Sequence, residues 1–343
     1  MPSSTVHLKE QVFCQQPTGF VDPDRPDAVC LLDRSLYGLR QAPRAWFERF
    51  AAFIRTLGFT ATRSDSSLFT LRRGHDLVYL LLYVDDIVIT GSSAALIQNI
   101  VNKLRAEFAV KDMGDLRFFL GIDVRRSKEG FYLSQARYAN DVLERAGMAS
   151  YKAAATPIDA KGKLDATGPA VADATSYRQL AGALQYLTVT RPDIAFAVQQ
   201  VCLHMHDPRE PHLALLKRIL RYVRGTTSHG LLLRASTDFN ITAYSDADWA
   251  GCPATRRSTS GFCVFLGDAL ISWSSKRQAM VSRSSAEAEY RALVNAAAEC
   301  IWLRQLLGEL HCSINKATLA FCDNISGGIH VGQSSAPQTN QAH

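Results

Sequence analysis

The chain has 343 residues, 47% of them hydrophobic and 20% charged, with a formal net charge of +6. These values exclude a disordered or fibrous polymer, and the longest apolar run, Val78 to Val84, is far too short to span a bilayer. The positive balance permits an anionic partner without requiring one. The length suits two domains, at most three. Met1-Pro2-Ser3-Ser4-Thr5 lacks the basic-then-apolar order of a secretory signal, so an intracellular protein, cytoplasmic or nuclear, is expected. The 8 cysteines form no Cys-x-x-Cys pair, which points to reduced thiols rather than a disulfide frame or a zinc motif.

Residues 1–30, with Pro17, Gly19, Pro23 and Pro26, read as loop. Pro43 then suits the first turn of a helix in which Trp46, Phe50, Phe53, Ile54 and Leu57 recur at helical spacing until Gly58. Leu68–Arg72, a turn at Gly74 and the apolar run to Tyr83 predict a hairpin. A second hairpin is expected where Tyr83-Val84-Asp85-Asp86 interrupts two apolar runs, which read as buried strands. Ser92 or Ser93 can cap a helix whose apolar face is Leu96, Ile100, Leu104 and Phe108. A strand pair, Leu116–Val124 with Phe131–Ser134, and a helix over 136–146 close this part.

Residues 150–174 are polar and aperiodic, and read as a linker. Three helices follow, the third carrying Leu213, Leu216, Leu220 and Val223 on one side and Lys217, Arg221 and Arg224 on another. That basic stripe either follows a nucleic-acid backbone or is a solvated helix face. From about 236 the pattern becomes strands at 240–245, 261–267 and 270–275, a long helix over 285–310, and a last strand, 317–322. This order is an α/β arrangement.

Two constellations carry chemistry. Asp85 and Asp86 sit between apolar strands, where adjacent carboxylates repel and lose solvation unless a cation compensates. A hard ion such as Mg²⁺, bound by carboxylates together with substrate phosphates, answers that need. Asp246 and Asp323 end the first and last strands of the terminal region, and Glu289 lies four residues before Leu293 on the long helix. If that helix packs through its apolar face, Glu289 projects toward the sheet, and the three acids can converge on a pair of metal ions suited to phosphodiester hydrolysis. Asp248 and Glu287 are weaker competitors, one beyond the strand end and one on another helix face.

Leu36-Tyr37-Gly38-Leu39-Arg40-Gln41-Ala42-Pro43-Arg44-Ala45-Trp46, followed by Tyr83-Val84-Asp85-Asp86, resembles the reverse transcriptase of copia-type LTR retrotransposons. Tyr244-Ser245-Asp246-Ala247-Asp248-Trp249-Ala250-Gly251, Arg257–Gly261, Ser272–Gln278, Ser284–Tyr290 and Cys322-Asp323-Asn324 are similar, in order, to that family's ribonuclease H domain. The resemblance covers about residues 8 to 329. It implies an α+β polymerase palm over 1–149, a linker and helical thumb or connection over 150–235, and a ribonuclease-H-like α/β domain over 236–343.

By that resemblance Asp85 and Asp86 hold Mg²⁺ or Mn²⁺ for nucleotidyl transfer from nucleoside triphosphates to a primer–template. Tyr83 lies beside the primer end, unless it is simply core, and Gly38, Gln41 and Pro43 shape the template and nucleotide pocket. Asp246, Glu289 and Asp323 cut the RNA strand of an RNA–DNA hybrid, with two ions expected in each complete site. The family's third polymerase aspartate falls ahead of Met1, and residues 324–343 hold no Asp or Glu to serve as a fourth nuclease ligand. The expectation is a copy truncated at both ends and catalytically impaired, with a non-catalytic nucleic-acid-binding remnant or a non-functional relic as alternatives. Arg256, Arg257, Lys276 and Arg277 would add to the basic surface of such a remnant.

Overall fold

The computed structural model describes residues 10–33, 39, 41–159 and 167–323, so Gly38 and everything after Asp323 lie outside the described residues. The chain divides into two units, Met1–Leu116 and Arg117–His343.

In the first unit, β1 (Phe13–Gln15) and β2 (Val29–Leu31) pair as a short antiparallel ribbon inside the segment whose prolines predict loop. Helix α1 (Ala42–Thr56) carries Pro43 in its first turn, where the missing N–H has no helical partner to lose. Its Trp46, Phe50 and Ile54 are buried at four-residue spacing. The helix stops as predicted, with Gly58 at φ +96°, a backbone region that a side chain would strain. Strands β3 (Thr60–Ala61), β4 (Leu68–Arg73), β5 (Asp76–Tyr83) and β6 (Asp86–Gly91) form an antiparallel sheet in that order. Helix α2 (Ala94–Glu107) is capped by Ser93, whose hydroxyl accepts the Leu96 N–H.

The unbroken apolar run predicts strands with core on both sides, and here the structure differs. In β5 only Val78, Leu80 and Leu82 are fully buried, against Trp46, Phe50, Phe69, Ile100 and Phe108. No residue of β6 is fully buried. Strand periodicity puts alternate side chains on opposite faces, and the helical residues of this core meet one of them.

The second unit opens with β7 (Phe118–Phe119), β8 (Ile122–Ser127) and β9 (Gly130–Ser134). The predicted single strand over 116–124 breaks because Leu120 and Gly121 both take positive φ. Helices α3 (Ala136–Arg145), α4 (Ala174–Leu187), α5 (Ala195–Cys202) and α6 (Glu210–Gly225) bury a shared core that includes Tyr177, Leu184, Val198, Leu216 and Leu220. A short 3₁₀ turn, Pro192–Ile194, precedes α5. Strand β10 (Gly230–Arg234), which no local signal predicts, pairs antiparallel with β9 from Gly230↔Ser134 to Arg234↔Gly130. Residues on opposite sides of the helical segment thus share one sheet.

Within the helical core the guanidinium of Arg191 is buried. It forms two hydrogen bonds to Asp193, at 2.8 and 2.7 Å, and two to Thr226, both at 2.8 Å. Burial alone raises the Asp193 pKa, but the Arg191 hydrogen bond and charge, with the Tyr222 hydroxyl, outweigh it and hold the carboxyl below its ordinary value.

The terminal sheet contains β11 (Ile241–Asp248), β12 (Thr259–Leu266), β13 (Ala269–Arg277) and β14 (Leu319–Cys322) in the order β13-β12-β11-β14. Its pairs are antiparallel except β11 with β14, which is parallel. Helix α7 (Ser285–Glu309) crosses between β13 and β14 and buries Ala292, Leu293, Ala296, Cys300 and Leu303. Ala296 is buried on this face, and its neighbour Ala297 only partly so. Small side chains let the helix lie close on Ile241, Ala243 and Val264. Trp273 donates its indole N–H to the Thr188 carbonyl at 3.2 Å, tying β13 to the end of α4.

Candidate active sites

Asp85 and Asp86 lie at a two-residue hairpin tip: Tyr83 pairs with Asp86, and Val84-Asp85 make the turn. Such turns need positive φ, and Val84 supplies it at +51°. For a β-branched residue this costs about 1–2 kcal/mol. The buried Trp46 offsets that strain by donating its indole N–H to the Val84 carbonyl at 2.7 Å, while its ring packs edge-on against Phe108 at 5.1 Å. Sequence reasoning treats Trp46 as core alone, although a buried indole N–H nearly always finds an acceptor, and that demand was the available signal.

Asp85 is half-buried, whereas Asp86, Tyr83 and Val84 are exposed. Gln41 precedes α1 and is exposed, and Pro43 begins the turn that leads to Trp46. Among the described residues no third carboxylate, cysteine or histidine joins Asp85 and Asp86 in a ligand-bearing group.

The second site gathers acids from three separate elements. Asp246 is exposed on β11, opposite Gly261 of β12. Glu289, only 8% exposed on the second turn of α7, accepts the Ala247 N–H through Oε1 at 3.1 Å and the Cys322 thiol through Oε2 at 3.5 Å. Asp323 follows β14 directly, and ligand atoms of Glu289, Cys322 and Asp323 lie within 4.8 Å of one another.

Burial pushes the Glu289 pKa up; the hydrogen bonds from Ala247 and Cys322 oppose the rise, and the charges of Asp246 and Asp323 add to it. Asp246 is thus close enough to be felt, though it stands outside the tight trio. Sequence reasoning missed Cys322, whose place beside Asp323 was legible but whose direction depends on the parallel ladder.

The competing acids have other partners. Asp248 accepts the Thr259 N–H, joining the end of β11 to the start of β12, and a Cβ at Gly251 would overlap its carboxylate. Glu287 pairs with Arg291 at 2.9 Å and accepts the Arg283 N–H at 2.8 Å, closing the N-terminal turn of α7. Gln278, also buried, donates to the Ser260 hydroxyl at 2.8 Å and to the Ala288 carbonyl at 2.9 Å, next to Glu289.

Along α6, Lys217 and Arg224 are exposed and Arg221 is half-buried. Arg221 donates to the Lys152 carbonyl at 2.8 Å and Arg224 to that of Ala149. The adjacent Arg218 pairs with Asp159 at 2.7 Å. These guanidiniums strap the 149–159 segment, read from sequence as a linker, onto the helix. Among the described residues Lys217 makes no such tie.

Residues 4–160 match the family described as reverse transcriptase (RNA-dependent DNA polymerase). The retrovirus-related Pol polyprotein from transposon RE1 of Arabidopsis thaliana is 47% identical over 93% of this chain and 22% of its own length. The corresponding polyprotein from transposon TNT 1-94 of Nicotiana tabacum is 36% identical over 98% of this chain and 26% of its own. A putative transposon Ty5-1 protein of Saccharomyces cerevisiae is 30% identical over 82% of this chain and 93% of its own length. The chain therefore spans between 22% and 26% of these two plant polyproteins. Among the described residues no helix is long and apolar enough to cross a membrane. With a reverse transcriptase domain at residues 4–160 and identity to plant Pol polyproteins running past it through the acid-bearing terminal sheet, the chain belongs to the copia-type retrotransposon Pol family.

Proposed function

We propose that the chain joins an RNA-directed DNA polymerase palm, residues 1–149, through a helical connection, 150–235, to a ribonuclease H domain, 236–343. The observation that carries the nuclease half is the meeting of Glu289 and Asp323, from a helix and a strand end, with the Asp246 charge adding to the raised Glu289 pKa. Bound Mg²⁺ or Mn²⁺, two ions in a complete site, would activate water and stabilise the leaving oxygen of a phosphodiester. Glu289 holds its carboxylate against the sheet through the Ala247 N–H, Asp323 offers an open edge, and Asp246 faces solvent where the hybrid's RNA strand would lie. Recognition of the hybrid is by shape and 2′-hydroxyls, with Lys217 a candidate phosphate contact.

In the palm, Asp85 and Asp86 would hold the ions that bind nucleoside triphosphate and primer end. Tyr83 is placed beside them, and Gln41 and Pro43 precede the helix that braces the tip. The family match over this segment supports the reading. Among the described residues two carboxylates meet at this tip, fewer than catalysis by positioned ions usually needs, so polymerisation is expected to be the weaker activity.

The test is primer extension and RNA–DNA hybrid cleavage by the purified chain in Mg²⁺ and in Mn²⁺. Cleavage abolished by Asp246→Asn and extension abolished by Asp85→Asn are expected. Turnover that survives these substitutions overturns the corresponding half.

A further inference from the structure

The donors around Glu289 are not all oxygen. Cys322 pairs with Ser245 in the parallel β11–β14 ladder, and residues in register share a face of the sheet. That face carries the Cys322 thiol toward Glu289. Ser245 beside it is only 7% exposed, and its hydroxyl has no hydrogen-bond partner among the described residues. Buried hydroxyls are nearly always paired, so an orphan lining a group of metal-ligating side chains marks a place for something more.

We propose that Glu289, Cys322 and Asp323, with the Ser245 hydroxyl alongside, form a seat for a thiophilic divalent cation such as zinc. The seat shares its carboxylates with the nuclease reading above, yet it requires no nuclease activity to exist. Distance and chemistry both favour this class of ion. A tetrahedral zinc with Zn–S of about 2.3 Å and Zn–O of about 2.0 Å needs its sulfur and oxygen ligands about 3.5 Å apart. Cys322 Sγ and Glu289 Oε2 stand at 3.5 Å.

Magnesium, by contrast, takes oxygen ligands in a strict octahedron and gains nothing from a thiol, whereas thiolate ligands select softer ions. Three protein ligands leave a fourth position, which the exposed Asp323 rim opens to water or phosphate. On binding, the proton that Cys322 donates to Glu289 leaves for solvent and the metal ion takes its place. A zinc ion seated there competes with magnesium for Glu289 and Asp323, so zinc would suppress magnesium-dependent cleavage.

Titration of the reduced full chain with Co²⁺, a spectroscopic surrogate for zinc, tests the proposal. The expected result is a thiolate-to-cobalt charge-transfer band that Zn²⁺ displaces. The band is lost in Cys322→Ser, and Co²⁺ binds at least about tenfold more weakly to Asp323→Asn, an exposed position whose change spares the fold. A wild-type spectrum with oxygen ligands only, or a full band retained in Cys322→Ser, overturns it. Because the readout is binding, a chain that shows the band but cleaves no hybrid in magnesium refutes the nuclease reading while leaving the seat intact.

Discussion

The two acid sites solve opposite problems. At the hairpin tip, Asp85 and Asp86 are neighbours in sequence, largely open to water, and held by a strained turn that one indole braces. In the terminal sheet, the acids arrive from different elements, and Glu289 is buried against backbone and thiol donors with its pKa raised. The first site depends on local geometry supported by a single helix, and the second on tertiary packing. Damage to the first should therefore stay local, whereas the second should respond to anything that shifts α7 or the β11–β14 pair.

The largest contrast is expected from Glu289→Gln, which keeps the shape and removes the charge. Hybrid cleavage should fall by about 100-fold or more, since several kcal/mol of charge stabilisation is lost, while primer extension by the same preparation stays within about twofold. Equal loss of both activities would mean that the two sites are not separable.

Next in size is Arg191→Leu, which strands Asp193 beside a core. Urea unfolding should show the second unit weakened by about 3 kcal/mol and the first unit unchanged. The sign of the pH effect follows from the same pair. Asp193 has a depressed folded pKa, so its stabilisation is present above the unfolded value and is lost as pH falls through the folded one. The variant should be less sensitive to acid over that range than the parent.

Trp46→Phe keeps the ring and deletes the N–H that holds the Val84 carbonyl. Stability of the first unit should drop by about 1 kcal/mol, and primer extension by roughly tenfold, with cleavage untouched. A chain that extends primers normally after this change would show that the brace is dispensable.

A smaller effect is expected at His204, whose ring stacks on His212 at 3.7 Å. Burial and then the neighbouring His212 lower its pKa from 6.5 to about 4. The unfolded chain therefore binds a proton first, and stability of the second unit should decline as pH falls from about 6.5 to about 4, then level off. His204→Gln should flatten that slope in urea midpoints. Glu287→Gln, at a carboxylate that bonds Arg283 and Arg291 near the start of α7, should leave cleavage within about twofold and so set the floor of the series.

Much of this arrangement is legible in the sequence because its signals are local. Pro43 and Gly58 bracket α1, Ser93 caps α2, and the two acids between apolar runs announce the hairpin. What escapes sequence reasoning depends on distant partners. Strand β10 is a short run of leucines whose pairing partner lies in β9, and no window around Leu231–Leu233 contains it. The arginines of α6 read as a free basic stripe because nothing local says that the backbone of 149–159 folds back to accept from them. From sequence Cys322 reads as one more reduced thiol, and only the parallel register turns it toward Glu289. Periodicity reveals which face a residue occupies, and only the fold reveals what faces it.

The pairing of β9 with β10 has a consequence for how the protein is made. During synthesis β9 emerges with one edge open and must wait roughly a hundred residues for the strand that covers it, a long loop to close and a slow step. A piece ending at residue 160, where the reverse transcriptase match stops, would keep β9 and never receive β10. Its bare strand would invite association with other chains, so the boundary drawn by ancestry is a poor place to cut.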